Sequence, residues 1–424
     1  MEKRILDRLR DAASAGDHAA QYQLAGALSA SGSREESEQW LLRAVKGGSP
    51  DALYTIATRS CGTLQGIASV VDELKAAAAK GCAPAMTLLC VLHARGWGVT
   101  PDARLAVQYA TKAAQTGDPS GMAAVGACLH LVDPDNLNGA VLTARASERG
   151  SSVAAAVRVR RFLAGAEDDP RTIERLLTML EKARYPNAGA LRAGIARGGA
   201  RASSTTIAGD SIDWNNVQET LATAPAVPVN SSSLLDRPHA WTCGGLWSAT
   251  ACEYVIATAA RGLAPSRIVD PGTGVARPDP YRSSLTAVIG PVDLDLAIVR
   301  LTDSIANAAG EPVARAEFIS ILCYGPGQEY RPHFDWLPDG PDVELAGQRT
   351  TTALVYLNEE FEGGETAFVD AGVSYRGSAG DMLAFRNASA DGERDMASRH
   401  AGRPVVAGVK WVASQWFRSK KFAF

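Results

Sequence analysis

The chain has 424 residues, more than one hydrophobic core usually supports, so two domains are expected. A formal net charge of −3, with 46% hydrophobic and 21% charged residues, excludes the strongly basic or acidic classes, so neither nucleic acid nor an anionic membrane is an expected partner. Seven cysteines (Cys61, Cys82, Cys90, Cys128, Cys243, Cys252 and Cys323) contain no CxxC pair, and they are expected to be reduced thiols in a cytoplasmic setting. The N-terminal residues Met1 to Arg8 are charged from the start and lack the apolar stretch of a signal peptide. No apolar run reaches the ~18 residues of a membrane span.

In chain order, the first half is organised by a five-residue pattern, Gly-x-x-x-Ala or close to it. It recurs at Gly16–Ala20, Gly48–Ala52, Gly81–Ala85, Gly117–Gly121 and Gly150–Ala154, with a degenerate copy at Arg184–Ala188. The last members, at 20, 52, 85, 121, 154 and 188, are 32, 33, 36, 33 and 34 residues apart, the period of a helical-hairpin solenoid. The glycines suit the left-handed position just past a helix, and Asp17, Ser49, Asp118 and Ser151 suit the N-cap of the next one. The stretch Gly96-Trp97-Gly98-Val99-Thr100-Pro101-Asp102, followed by Ala106, Tyr109, Lys112, Ala113 and Ala114, resembles a Sel-one-like repeat, a branch of the tetratricopeptide superfamily. That resemblance covers residues 1–196 and implies an α-solenoid that docks other proteins or scaffolds the domain that follows.

Residues 197–225 read as a linker with one possible helix over Asp210–Ala222. From residue 226 to 424 the pattern changes. After a helix-like stretch, Ala249–Ala260, candidate strands follow at Ala316–Tyr324, Ala353–Leu357, Thr366–Val369, Asp381–Phe385 and Val409–Phe417. Short strands split by Gly, Pro and Asp point to a double-stranded β-helix, the jelly roll. The expected fold class is therefore multidomain α + β: a solenoid of helical hairpins, then a jelly roll. Asp270–Tyr281 and Leu337–Gly347, rich in Gly, Pro and Asp, are candidate lids.

His333 and Asp335 are two residues apart, so on an extended chain both side chains leave the same face. His400 follows 67 residues later, ahead of another strand. Two imidazoles and one carboxylate make the facial triad that holds Fe(II) with positions left open. Lys410 shares a strand face with Val412, Ser414, Trp416 and Arg418. A lysine turned into a barrel needs an anionic partner, which the distal carboxylate of 2-oxoglutarate would supply.

The run Tyr324, Gly327-Gln328, Tyr330, Pro332-His333 and Asp335 resembles the metal-binding signature of the prolyl 4-hydroxylases. So do Gly347-Gln348-Arg349, Thr352, Leu354, Tyr356-Leu357, Glu362-Gly363-Gly364-Glu365-Thr366, Gly380-Asp381, and His400-Ala401-Gly402 with Lys410-Trp411 and Trp416. The resemblance covers residues 240–424. It implies a dioxygenase with His333, Asp335 and His400 as iron ligands and catalytic centre, and with Lys410, Thr366 and Tyr324 binding 2-oxoglutarate. Tyr330, Arg349 and Trp416 would line the substrate groove, and Arg282 and Ser284 match the family's Arg-x-Ser substrate loop. The implied reaction consumes 2-oxoglutarate and O2, gives succinate and CO2, and hydroxylates an aliphatic carbon, with ascorbate as an accompanying reductant. The expected substrate is a prolyl residue in a protein or peptide, which the repeats help to recruit. Arg418 and Arg403 depart from the family pattern. They leave open a free amino acid or another small substrate, with the two arginines as a carboxylate clamp. A repeat-protein adaptor with a sensor-like oxygenase domain also stays open.

Overall fold

A computed structural model describes residues 2–197, 211–224, 229–269, 276–278, 281–389 and 391–424. Of the expected linker at 197–225, residues 198–210 and 225 lie outside the described residues, as does most of the first candidate lid at 270–281. By their contacts, residues 1–121 with Phe424 form one compact unit and residues 122–423 another.

The first unit consists of paired helices. Asp17, Ser49 and Asp118 accept backbone N–H bonds three residues on, at 3.0, 3.3 and 2.7 Å, as the cap positions require. Gly16, Gly48, Gly81 and Gly117 adopt φ of 96, 83, 90 and 83°, the left-handed geometry that ends each preceding helix. Gly121 replaces the alanine of the pattern because a Cβ there would sit 2.9 Å from the Ala113 carbonyl carbon.

The second unit opens with five more helices, Pro119–Val132, Leu137–Glu148, Ser152–Leu163, Pro170–Lys182 and Ala188–Ala196, the first crossing in from the other unit. Ser151 caps Ser152–Leu163 through the Ala154 N–H. Arg184 fills the glycine position of the degenerate repeat and keeps its geometry, with φ of 54°; among the described residues it is the one non-glycine with positive φ. A left-handed conformation costs an L-residue about 1–2 kcal/mol, part of which glycine returns as lost unfolded-state freedom. Arg184→Gly is therefore expected to stabilise this unit by up to about 1 kcal/mol, read as a rise in thermal midpoint or urea midpoint; an unchanged or lower midpoint contradicts it.

The helix expected over 210–222 spans Trp214–Ala222, capped by Asp213. Beyond it, two antiparallel sheets make the jelly roll. The major sheet has eight strands in the order Ser231–Leu235, Ala240–Cys243, Met382–Arg386, Arg349–Tyr356, Lys410–Arg418, Ser320–Tyr324, Leu285–Val288, Ala264–Pro265. The minor sheet has four, in the order Val373–Tyr375, Thr366–Phe368, His400–Gly402, Tyr330–His333. The five expected strands are present with shifted ends. The largest shifts are equal: the strand expected from Ala316 starts at Ser320, after a short 3-10 turn, Val313–Arg315, and the one expected from Ala353 already starts at Arg349.

Two helices back the major sheet: Ala249–Ala259, as expected, and Leu296–Ala309, which the strand-like reading of this half passed over. Its ends carry ordinary signals, the Asp295 side chain accepting the Ile298 N–H and Gly310 taking φ of 65°. All seven cysteines are buried, and no described helix is long and apolar enough to cross a membrane.

Candidate metal centre

Between the two sheets, His333, Asp335 and His400 each offer a ligand atom, all within 4.8 Å of one another; it is the single such group among the described residues. The minor sheet produces this convergence. His333 ends one strand, His400 begins its neighbour, and the two face each other directly in the register. Asp335 lies just past the strand end, and its carboxylate oxygens are 3.5 Å from His333 Nε2 and 3.6 Å from His400 Nε2.

The outer nitrogens settle which side of each ring faces inward. His333 Nδ1 is 2.9 Å from the Arg331 carbonyl and His400 Nδ1 is 3.0 Å from the Ser398 carbonyl, so both Nδ1 atoms donate and both Nε2 lone pairs point at Asp335. Rings pack closely: His333 stacks on Tyr330 at 3.4 Å, and Phe385 meets His400 edge-on at 4.7 Å. Burial and the nearby His333 lower the His400 pKa to about 4, leaving a neutral imidazole at neutral pH. Burial opposes the charge of Asp335, but the imidazoles of His400 and His333 outweigh it and hold its carboxyl well below the usual range. Two imidazole nitrogens and a carboxylate are the donor set of a non-haem Fe(II) site.

Behind Asp335 stands a relay that motif reading did not assign. Thr352 Oγ1 donates to Asp335 Oδ2 at 2.7 Å, and Asn387 Nδ2 donates to Thr352 Oγ1 at 2.8 Å. Thr352 and Asn387 are both fully buried. The signal for Thr352 was its two-residue spacing from Leu354 on a strand whose face turned out to be internal.

The cavity at this centre is lined by the trio together with Tyr324, Tyr330, Thr366, Lys410, Trp416 and Arg282, and by Leu322, Leu354, Gly402, Val412 and Ser414. The expected face of the Lys410 strand is thus the inner one as far as Trp416. Lys410 is buried at 4% exposure, donates to the Gly364 carbonyl at 2.6 Å, and lies 5.5 and 5.2 Å from the Tyr324 and Tyr356 ring centres. Burial lowers its pKa to about 8, with Glu365 acting against the drop. Thr366 is bonded to the Tyr356 hydroxyl at 2.8 Å. Burial raises the Tyr324 pKa, and contacts with Arg282 and Ser284 work against the rise.

Two expected substrate residues, Arg349 and Ser284, and the candidate clamp residue Arg418 lie outside the cavity lining. Arg349 does not line the cavity; its Nε and Nη2 bind Glu317 at 2.6 and 2.8 Å, and its guanidinium covers the back of Trp416 at 3.9 Å. Arg418 Nε meets the same Glu317 at 2.6 Å and its Nη1 the Gly347 carbonyl at 2.6 Å, so it is committed rather than presented as a clamp. Ser284 is buried behind the cavity, bonded to Ser266 at 2.8 Å, while Arg282 reaches the cavity and lies over Tyr330 at 5.0 Å. Arg403 is exposed. The candidate lid at 337–347 holds a short helix, Pro341–Ala346, pinned at its base where Gln348 bonds the N–H and carbonyl of Leu337 at 2.7 and 2.9 Å.

A larger open groove, about 920 Å³, occupies the first unit along Ala68–Leu105, without a comparable cluster of ligands.

Comparison with known proteins agrees with this geometry. Residues 319–418 match the 2OG-Fe(II) oxygenase superfamily. Prolyl 4-hydroxylase 1 of Arabidopsis thaliana is 33% identical over 183 residues, covering 40% of this chain and 65% of that protein. Probable prolyl 4-hydroxylase 3 of the same plant is 31% identical over 199 residues, covering 42% of this chain and 69% of that protein. Among solved structures, a Sel1 repeat protein from Oxalobacter formigenes covers 43% of this chain and 79% of its own, at 23% identity and a TM-score of 0.33.

Proposed function

Because the chain belongs to the prolyl 4-hydroxylase family and carries a 2OG-Fe(II) oxygenase domain, we propose that it hydroxylates prolyl residues of a protein or peptide. The observation that carries this reading is the convergence of His333, Asp335 and His400 in one cavity with the buried Lys410. His333 Nε2, Asp335 and His400 Nε2 would hold Fe(II), and Lys410 would anchor the distal carboxylate of 2-oxoglutarate. Bound there, the ferrous ion supplies the oxidative chemistry that turns 2-oxoglutarate and O2 into succinate, CO2 and a hydroxylated carbon.

The chain's own residues orient and protect. The Arg331 and Ser398 carbonyls fix the imidazole tautomers, and the Asn387–Thr352 relay fixes the carboxylate. Thr366 and Tyr324 line the co-substrate end beside Lys410. Tyr330, Trp416 and Arg282 line the remainder, two aromatic rings and a cation, suited to a pyrrolidine ring and a backbone carbonyl. Val412, Leu322 and Leu354 exclude water from the floor. The helical repeats are proposed to recruit the protein substrate, and a cytoplasmic location is proposed from the unspaced cysteines.

Succinate formation by anaerobically purified protein, given Fe(II), ascorbate, 2-oxoglutarate and O2, tests the proposal. Proline-rich peptides are expected to stimulate it and to gain one oxygen. Uncoupled turnover that no peptide changes would move the search to free amino acids, and no turnover with iron bound would leave a sensor-like adaptor. Thr352→Val, which keeps the shape and removes the hydroxyl, is expected to weaken Fe(II) affinity by about 10- to 100-fold. Unchanged affinity by anaerobic titration would show that Asp335 needs no orienting partner.

A further inference from the structure

Helices upstream of the jelly roll reach the co-substrate anchor through a chain of polar contacts that starts at a buried carboxylate. Glu253, on the helix Ala249–Ala259, is 1% exposed in an otherwise apolar setting. Three side chains from the helical-repeat segment saturate its carboxylate. Tyr185 Oη donates at 2.5 Å, Asn187 Nδ2 at 2.9 Å, and Arg160 through Nε at 3.1 Å and Nη2 at 3.0 Å. A buried carboxylate with this many donors fixes all of its partners in place.

Arg160 does not end there. Its Nη1 donates to Glu360 Oε1 at 3.4 Å. Glu360 belongs to the turn between the strands Arg349–Tyr356 and Phe361–Gly363, and this turn holds the strand on which Lys410 begins. Asn358 Nδ2 donates to the Val409 carbonyl at 2.8 Å, Asn358 Oδ1 accepts the Trp411 N–H at 2.8 Å, and the Leu357 N–H reaches the Trp411 carbonyl at 2.9 Å. These bonds bracket Lys410 on both sides. Just beyond, the Gly364 carbonyl accepts from Lys410 Nζ itself.

We propose that Arg160 and Glu360 are positioning residues for the 2-oxoglutarate anchor, so that the last helical repeats set co-substrate affinity without placing any side chain in the cavity. Among the described lining residues, none comes from the repeat segment. The inference rests on the reading of Lys410 as the anchor given above. In this arrangement the repeats are more than a recruitment arm. A partner that shifts the helix Ser152–Leu163 would be felt at Lys410 through the Glu360 turn, by displacement of packed and bonded groups.

The decisive variant is Glu360→Ala in the full-length protein, since Glu360 is partly exposed and its loss leaves Glu253 paired. Arg160→Ala would leave the buried Glu253 without its cation and threatens the fold, so Arg160→Lys, which keeps the charge, serves as the second variant. Equilibrium binding of 2-oxoglutarate, with Mn(II) in place of iron and oxygen excluded, gives the readout apart from activity. KM against kcat gives the second. Glu360→Ala is expected to weaken 2-oxoglutarate binding and raise its KM by roughly three- to tenfold, with kcat and Mn(II) affinity near wild type and Arg160→Lys in between. Wild-type 2-oxoglutarate affinity in Glu360→Ala overturns the proposal, as does a loss that falls on kcat or on metal affinity instead. Lys410→Met, measured alongside, separates the premise: wild-type 2-oxoglutarate binding in that variant would overturn the anchor itself.

Discussion

His400→Ala is expected to remove Fe(II) binding and to reduce succinate formation by at least about 10³-fold while leaving the fold intact. His400 is one of two nitrogen donors in a three-ligand site, and no other described residue lining the cavity offers a third ligand at the same point. Tyr324 stays a phenol at neutral pH because burial raises its pKa, and Lys410 is held by the Gly364 carbonyl. Loss of the ring also opens space beside Phe385 and frees the Ser398 carbonyl, a modest structural change at the end of a short strand. Anaerobic iron stoichiometry, succinate yield and circular dichroism measured on the same preparation check the expectation. Tight stoichiometric iron in His400→Ala would mean that the trio does not hold the metal.

How much of this was legible in the sequence follows from how local each feature is. The His333–Asp335 pair could be read because two-residue spacing on a strand fixes the face without knowledge of neighbours. The same logic placed Lys410, Val412, Ser414 and Trp416 on one inner face, as the cavity lining bears out. It failed at Arg418, where the register shifts between Phe417 and Arg418 and the guanidinium turns to Glu317 instead. The repeat was legible because helix ends have local chemistry, a capping side chain and a residue tolerant of positive φ. Even Arg184, which breaks the glycine rule, keeps the geometry that the period requires.

Long-range pairing was not legible. Arg349 carries a family position, yet its partner is Glu317, thirty-two residues earlier, and no local pattern announces that bond. Glu253 reads as one polar residue on an apolar helix until Arg160, Tyr185 and Asn187 close on it from 66 to 93 residues upstream. The helix Leu296–Ala309 was missed for a different reason. Buried on most of its surface, it carries apolar runs that resemble a strand, and its narrow polar stripe, Arg300, Asp303 and Asn307 at helical spacing, was the usable signal together with the capping Asp295 and terminal Gly310.

Lys410→Met is expected to raise the Kd and KM for 2-oxoglutarate by about 10²-fold, with iron binding retained, because a paired buried charge is replaced by an apolar side chain of similar length. The pH dependence distinguishes this role from packing. Burial brings the Lys410 pKa down to about 8 from the ordinary 10.5, with Glu365 opposing. Below pH 8 the ammonium is already charged and affinity for the dianion should be flat. Above it, binding must take up a proton, so affinity should fall by about tenfold per pH unit until the lysine of the complex itself titrates. Folding stability without co-substrate should move the opposite way. Between pH 8 and 10.5 the unfolded lysine binds a proton that the folded one has lost, so stability attributable to this residue rises with pH by up to about 3 kcal/mol across that window. Lys410→Met should abolish both slopes at once. Calorimetric titration of 2-oxoglutarate and urea unfolding, each run from pH 7 to 10 on wild type and variant, test the pair. A wild-type affinity that stays level through pH 10 would mean that the ammonium is not the group that receives the carboxylate.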